Sequence, residues 1–469
     1  MNSLPQNTHI REKNAMNPTG LQRVLTLPAV TFIAIGFMIG GGVFVFTGIV
    51  LKIVGSALPL AYALAVIPVF ISMMPLAMLG STLPTTGANY MYPSRMISPG
   101  LAFTGIWVYA LASFFGQIPL YAISCARYIS VYIPGVSIHL LAAIIVTVLY
   151  LVNLRGVKIA AQVQAVLVLI LLSSLVYYAS KGIVSMDMTS FSIIGEHNTG
   201  SLLLGTSLLT FTYFGANGII ELGGEIINPG KVIPRAFMIA FPVVATVYVL
   251  VAIATVGCGP IEPLLSSAEP LITACKVFLT GGGIAFFIIG GAILALVTTL
   301  NALFIVGTKS LLMIVGDSIL PERAGALHPR YATPHILLTI IWILSIAGIF
   351  SRVSLETLAS YAALGGLIIF FPILLASLRL PALYPLQFSR SSFKMPPFFR
   401  WFCAITGIFM VLFFGMVIMV DMKSLLKTGG FIFFILTGIG YYLARKEYCK
   451  RKGVYLEDLL YQEKWADEQ

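Results

Sequence analysis

The sequence predicts an all-α polytopic membrane protein with about twelve transmembrane helices. Three observations carry the prediction. Hydrophobic residues make up 58% of the 469-residue chain and charged residues only 10%, too few to solvate a soluble surface of this size. The apolar residues gather into twelve runs close to the roughly 20 residues that one helical crossing needs. The basic residues also favour one side. With the N-terminus inside, only seven of the 28 Lys and Arg fall outside: Lys52, Arg127, Lys181, Lys276, Arg352, Lys423 and Lys427. That bias predicts a multi-pass protein of the plasma (inner) membrane with both termini cytoplasmic. The net charge of +11 then reports topology and not a nucleic-acid partner.

Taken in order, residues 1–27 are polar, carry Arg11, Lys13 and Arg23, and lack an early apolar core. They read as a cytoplasmic tail and not as a cleavable signal. The runs follow at 28–50, 57–81, 100–131, 138–153, 159–180, 201–226, 236–257, 282–308, 335–350, 354–378, 400–420 and 429–444. The third and eighth are long enough for tilt or an extra interfacial turn. The longest outer connections are 181–200 and 258–281, and the longest inner ones 309–334 and 379–399, so no soluble domain fits. Segment 445–469 is charged and reads as a second cytoplasmic tail.

Several chemistries find no foothold. The five cysteines show no metal-ligand spacing; Cys258 and Cys275 share an outer loop, but nothing forces them to pair. The histidines, at 9, 139, 197, 328 and 335, lie in tails, loops or span ends, which disfavours a histidine proton relay. There is no phosphate-binding Walker loop, no HExxH and no catalytic acid pair. The chain therefore reads as a non-enzyme with no catalytic residue, no metal and no cofactor. Any work it does must draw on a gradient or on exchange.

Two runs are interrupted by glycine near their middle. The first holds "IGGGVF" at 39–44 and the sixth "YFGANG" at 213–218. Glycine clusters also serve close packing of intact helices. Two breaks placed five spans apart instead favour unwinding, the pattern of an inverted repeat. The first repeat would cover 28–181, the second 201–378, and 400–444 would add two spans. Non-helical backbone at membrane depth is tolerated only where it lines a cavity or is buried in protein. Freed amides of Gly40 to Val43, at the positive end of a half-helix, suit a carboxylate. Freed carbonyls of Thr212 to Gly215 suit an ammonium group, and glycine permits close approach of a ligand to the backbone. Together the two breaks describe a site for a free α-amino acid.

Five stretches in order resemble one family. They are "IGGGVFVFTG" in span one, "LPTTGANYMYPSR" after span two, "NLRGVKIAAQVQ" into span five, "FTYFGANGIIELGGEIINPGKVIPRA" in span six and "TTLNALFIVGTKSLLMIVGDSILPE" through span eight. The chain resembles the amino acid–polyamine–organocation superfamily of secondary transporters over most of its first ten spans. The resemblance implies a five-plus-five inverted-repeat fold with broken first and sixth helices, two added spans, and alternating access around a midplane site. It places the carboxylate site on Ile39, Gly40, Gly41, Gly42 and Val43. It places the amine and side-chain site on Phe211, Thr212, Tyr213, Phe214 and Gly215. Three positions depart from the family pattern. Asn217 stands where many members carry an acid, no lysine occurs from Ile159 to Ser180, and Lys309 replaces an arginine. The first two leave the coupling ion open.

Further candidates each have two readings. Phe211 either gates the substrate or simply packs. Glu221, in the inner half of span six, either carries a coupled proton or faces a cytoplasmic vestibule. Glu225 reads as an inner contact to Lys231 or Arg235, and Asn228-Pro229 as a helix stop. Thr298 and Thr299 either help hold sodium or bond their own backbone. Asn301 either faces the substrate beside Asn217 or joins two helices. The resulting expectation is a permease for a small neutral amino acid or close derivative. It would work by proton symport (proton rather than sodium) or by exchange against a counter-substrate, within a lipid bilayer. A transporter-like sensor, a channel, and a cationic amino acid or polyamine antiporter are the competing readings.

Overall fold

The computed structural model describes residues 23–155, 161–186, 198–331 and 333–460. Expectations about residues 1–22 and 461–469, and the part of the fifth-span motif at 156–160, lie outside the described residues.

Among the described residues, nine helical stretches are long and apolar enough to cross a membrane. The first, Leu27–Thr82, holds two spans, Leu27–Val54 and Leu58–Thr82, joined by the single turn Gly55–Ala57. Gly55 permits that reversal with a φ of +58°, which a side chain would resist. Two shorter apolar helices, Ile138–Leu154 and His335–Phe350, complete the twelve. Span three is Pro99–Ser130, span five Ala161–Val184, and span six begins as Thr199–Tyr213. Span seven is Pro229–Val256, span eight Gly281–Gly316 and span ten Leu355–Leu383. Spans eleven and twelve are Pro397–Asp421 and Leu425–Arg451. Ser137 and Asn198 cap spans four and six, their side chains accepting the Leu140 and Gly200 amides.

Four features differ from the simple reading of the runs. Span six ends its α-helix at Tyr213 and continues as two 3-10 pieces, Phe214–Ile219 and Gly223–Glu225. Span seven starts at Pro229 and not near 236, because proline at the first helical position loses no hydrogen bond. Asn228 turns the chain into it with a left-handed φ of +50°. Spans three and eight are long partly because each contains a π-turn, Ala112–Gln117 and Phe286–Ile293. A separate short helix, Ala88–Met96, the inner helix in the orientation expected from the charge bias, lies between spans two and three, entered through Gly87 at φ +70°.

Burial separates core from periphery. The most apolar windows of Leu27–Thr82 and Leu355–Leu383 are 83% and 72% buried, that of Lys427–Arg451 only 11%. Spans one and two therefore pack inside, and span twelve presents Phe433 and Leu436 outward as lipid would require. Lipid tails are as apolar as leucine, so burial alone does not assemble such a bundle. Close packing and internal hydrogen bonds do. Thr47 and Tyr62 hydroxyls lie 2.7 Å apart, as do Tyr178 and Thr255 at 2.8 Å, both pairs fully buried. Trp107 stacks flat on Tyr441, bringing span twelve against span three.

Candidate functional site

The break in span one is narrower than Gly40 to Val43. Only Gly40 leaves helical geometry, at φ −25° and ψ −138°. The neighbouring span explains the choice of residue: a Cβ on Gly40 would stand 2.0 Å from the Thr299 hydroxyl oxygen. The Gly41 amide, released by the kink, donates to that oxygen at 3.0 Å. On the other side of the kink the Met38 carbonyl accepts from the Tyr248 hydroxyl at 2.6 Å. That hydroxyl also lies 3.5 Å from the Thr212 carbonyl at the end of the span-six helix. One tyrosine of span seven thus touches both broken spans.

The breaks meet backbone to backbone. A Cβ on Gly215 would lie 2.1 Å from the Phe37 carbonyl oxygen, so no other residue fits there without moving a span. Beside this contact opens a cavity of about 100 Å³. Phe211, Thr212, Phe214, Gly215, Asn217 and Glu221 line it from span six, with Thr299 from span eight. Phe37 and Met38 represent span one.

Of the remaining candidates, all but Thr299 sit outside the cavity wall. Ile39, Gly40, Gly41, Gly42 and Val43 are buried but outside the cavity wall. The Gly41 Cα faces Leu296 and Tyr121, and Gly42 faces Thr212. Tyr213 turns away, donating to the Tyr62 carbonyl at 3.2 Å and meeting the Tyr248 ring edge to face. Asn301 accepts from Asn153 at 2.7 Å, joining spans eight and four. Thr298 bonds the Leu294 and Ala295 carbonyls of its own helix, and Thr299 donates to Ala295 while accepting from Gly41. No group of three His, Cys, Asp or Glu is placed to hold a metal among the described residues.

Three contributors to the wall are absent from the sequence reading. Span three supplies Tyr109, Gln117 and Tyr121. Gln117 closes the π-turn of that span, and such turns recur at functional sites because they reset side-chain register. The sequence signal was a lone amide inside an apolar run. The inner helix supplies Asn89, and span ten supplies Gly366, Ile369 and Phe370. A Cβ on Gly366 would come within 2.8 Å of the Phe211 ring, so this glycine makes room for that aromatic.

The floor of the cavity is polar. Glu221 is 1% exposed; its carboxylate accepts the Asn89 amide at 2.7 Å and the Ser310 hydroxyl at 3.3 Å. Asn89 belongs to the first turn of the inner helix, where free amides favour negative charge. The Asn217 amide nitrogen donates to the Asn89 side-chain oxygen at 2.7 Å, leaving the Asn217 oxygen buried without a partner.

Contacts between spans cross both ends of the bundle. On the side of Glu221, Glu225 pairs with Lys309 at 3.1 Å and not with Lys231 or Arg235. The chain before span one pairs with the chain after span six, Val24 and Leu25 donating to the Glu225 carbonyl and Ile227 to that of Leu25. Arg95 of the inner helix forks onto Asp317 at 2.6 and 2.9 Å. On the other side Phe46 packs on Phe211, ring centres 5.2 Å apart, and Phe214 on Phe370 at 4.5 Å. Two short helices, Glu262–Ser266 and Pro270–Phe278, cover that end, with Pro270 set against Gly48 of span one. Glu269 faces Arg127 at 3.6 Å, and burial pushes its carboxyl up to about 7 against the opposing pull of Arg127 and Lys52. Cys258 and Cys275 are both free thiols, each bonded to a carbonyl of its own turn.

Apolar helices folded round a cavity, where two interrupted spans touch, define a multi-pass membrane transporter. The chain belongs to the amino acid permease family, whose sequence profile matches residues 29–459. It is similar to the methylthioribose transporter of Bacillus subtilis (strain 168), 26% identical over 80% of this chain and 84% of that one. It is also similar to the low-affinity putrescine importer PlaP of Escherichia coli (strain K12), 25% identical over 73% of this chain and 78% of the relative. The branched-chain amino acid permease BcaP of Bacillus subtilis (strain 168) is 22% identical over 88% of this chain and 93% of its own. The named relatives are transporters and not enzymes.

Proposed function

We propose that the protein is a secondary active transporter of a small neutral amino acid or close derivative, working by alternating access in the plasma membrane with both termini cytoplasmic. The observation that carries the reading is the composition of the cavity wall. Its polar groups are mostly uncharged (Asn89, Tyr109, Gln117, Tyr121, Thr212 and Asn217), and its one carboxylate, Glu221, already accepts two hydrogen bonds from the protein. A fixed dication would need an unspent acid; a zwitterion with a neutral side chain does not. Residues 28–181 and 201–378 would act as the two halves that rock against each other, with Phe211 as a gate on the outer side.

Proton coupling or exchange is favoured over sodium because the Thr298 and Thr299 hydroxyls already have partners within the protein. Glu221 is the acid placed to take the proton. It is buried at the cavity floor and bonded to an element of the inner gate. One observation favours a second reading: Glu221 does line the cavity, and a relative is named as a putrescine importer, so a cationic amino acid or polyamine substrate is the alternative.

The test is a thermal-shift panel on purified protein with free L-amino acids, diamines and methylthioribose, at two pH values, with and without sodium. A ligand at about 100 times its dissociation constant adds roughly 2.7 kcal/mol of stability. A neutral amino acid needing both its carboxylate and its amine supports the proposal, and Glu221→Gln should then remove the pH dependence of uptake while leaving exchange. Stabilisation by diamines alone, lost in Glu221→Gln, replaces it with the cationic reading.

A further inference from the structure

A cluster of cations without acidic partners lies in the hairpin between spans ten and eleven. It contains the short helix Pro385–Arg390 and leads into Pro397–Asp421. No Asp or Glu occurs between Glu356 and Asp421, yet this stretch carries Arg390, Lys394 and Arg400. Among the described residues none of these three takes part in an ion pair. Two cations at the same end do hold acids: Arg95 pairs with Asp317 and Lys309 with Glu225.

The hairpin is a built feature. Phe393 donates its amide to the Ser81 hydroxyl at 3.2 Å, and Ser391 and Ser81 hydroxyls lie 3.1 Å apart, fixing the loop to the end of span two. The Arg400 guanidinium lies 6.0 Å from the centre of the Phe388 ring, which draws span eleven onto the short helix. Its Nε is buried and has no hydrogen-bond partner. The Lys394 ammonium reaches only the Ser389 carbonyl, within the same loop. Beside these cations the first turn of span eleven exposes Phe398, Phe399, Trp401 and Phe402, each between 49% and 74% accessible. Exposed rings at that density belong at a membrane interface, level with lipid headgroups. Cations at the same level attract anionic lipid.

We propose that Arg390, Lys394 and Arg400 form a binding site for the phosphate of an anionic phospholipid, with the rings of Phe398, Phe399, Trp401 and Phe402 seated against its acyl chains. The charge selects phosphate, and the ring cluster selects a lipid over a free aqueous anion.

The experiment compares wild type with the triple variant Arg390→Gln, Lys394→Gln, Arg400→Gln. Each is reconstituted in phosphatidylcholine nanodiscs with and without phosphatidylglycerol, and retained lipid is read by native mass spectrometry after detergent transfer. Each cation near a surface contributes about fivefold to anionic-lipid affinity, so the triple variant should lose about 100-fold. The pair Arg323→Gln, Arg330→Gln, on another loop at the same end, should retain phosphatidylglycerol like wild type. Equal loss in that pair would overturn a discrete site in favour of diffuse surface charge. Full retention in the triple variant, or protection of detergent-solubilised wild type by inorganic phosphate as strong as by phosphatidylglycerol, would also overturn the proposal. If the triple variant does not fold, the exposed double variant Arg390→Gln, Lys394→Gln takes its place, with an expected loss of about 25-fold.

Discussion

Gly215→Ala is the sharpest perturbation the two breaks allow. The added Cβ would stand 2.1 Å from the Phe37 carbonyl oxygen and 2.4 Å from its carbon, both backbone atoms. Real Cβ contacts essentially never fall below 3.0 Å, so spans one and six must separate by about 0.9 Å. Backbone cannot rotate out of the way as a side chain can. The displacement acts where the Tyr248 hydroxyl bridges Met38 at 2.6 Å and Thr212 at 3.5 Å, and the longer contact cannot survive it. One or two hydrogen bonds between a charged substrate end and the displaced backbone, each worth about 1.5–3 kcal/mol, would be lost. The expected result is a fall in substrate affinity of at least about tenfold with the protein still folded. Gly218→Ala is the control: its Cβ meets only the Phe37 ring, which can rotate, so its loss should be much smaller. Uptake in proteoliposomes gives KM, and ligand-dependent thermal shift gives affinity without transport. A Gly215→Ala protein with wild-type KM and wild-type ligand shift would refute the claim that backbone contact between the breaks builds the site.

Three further expectations follow from single contacts. Thr299→Val removes the acceptor for the Gly41 amide and leaves that buried donor unpaired, costing about 1–3 kcal/mol in binding or stability, while Thr299→Ser keeps both; equal behaviour of the two variants in thermal melts and uptake would count against the pin. Glu269 has a folded-state pKa of about 7, above its unfolded value, so the folded protein holds the proton and wild type loses stability as pH rises from about 4.5 to 7. Glu269→Gln cannot titrate and should be about 3 kcal/mol more stable than wild type at pH 8 but equal to it at pH 4.5, as read by melts in detergent; parallel curves would sink the assignment. Gln117→Leu strips an amide from the cavity wall, so inhibition constants for substrates with polar side chains should worsen by about tenfold against apolar ones; an unchanged ranking would place Gln117 outside substrate contact.

The sequence by itself determined the class, the twelve crossings and the position of both breaks. Hydropathy is a local property, counted over some 20 residues at a time, and glycine marks its own backbone. Glu221 was legible for the same reason, as an acid where acids are costly. The partners of these residues were not legible. Gly41 and Thr299 are 258 residues apart, Asn89 and Glu221 132, and Lys309 and Glu225 84. Thr298 and Thr299 look alike in the sequence; only the approach of span one separates them, leaving Thr298 to its own helix and giving Thr299 the Gly41 amide. Tyr109, Gln117 and Tyr121 reached the cavity through a π-turn whose register shift leaves no periodic trace. The tertiary structure alone decided which polar groups are already satisfied by the protein and which remain for a ligand. In a low-dielectric interior that distinction is set by contacts between spans, and neighbours in sequence cannot supply it.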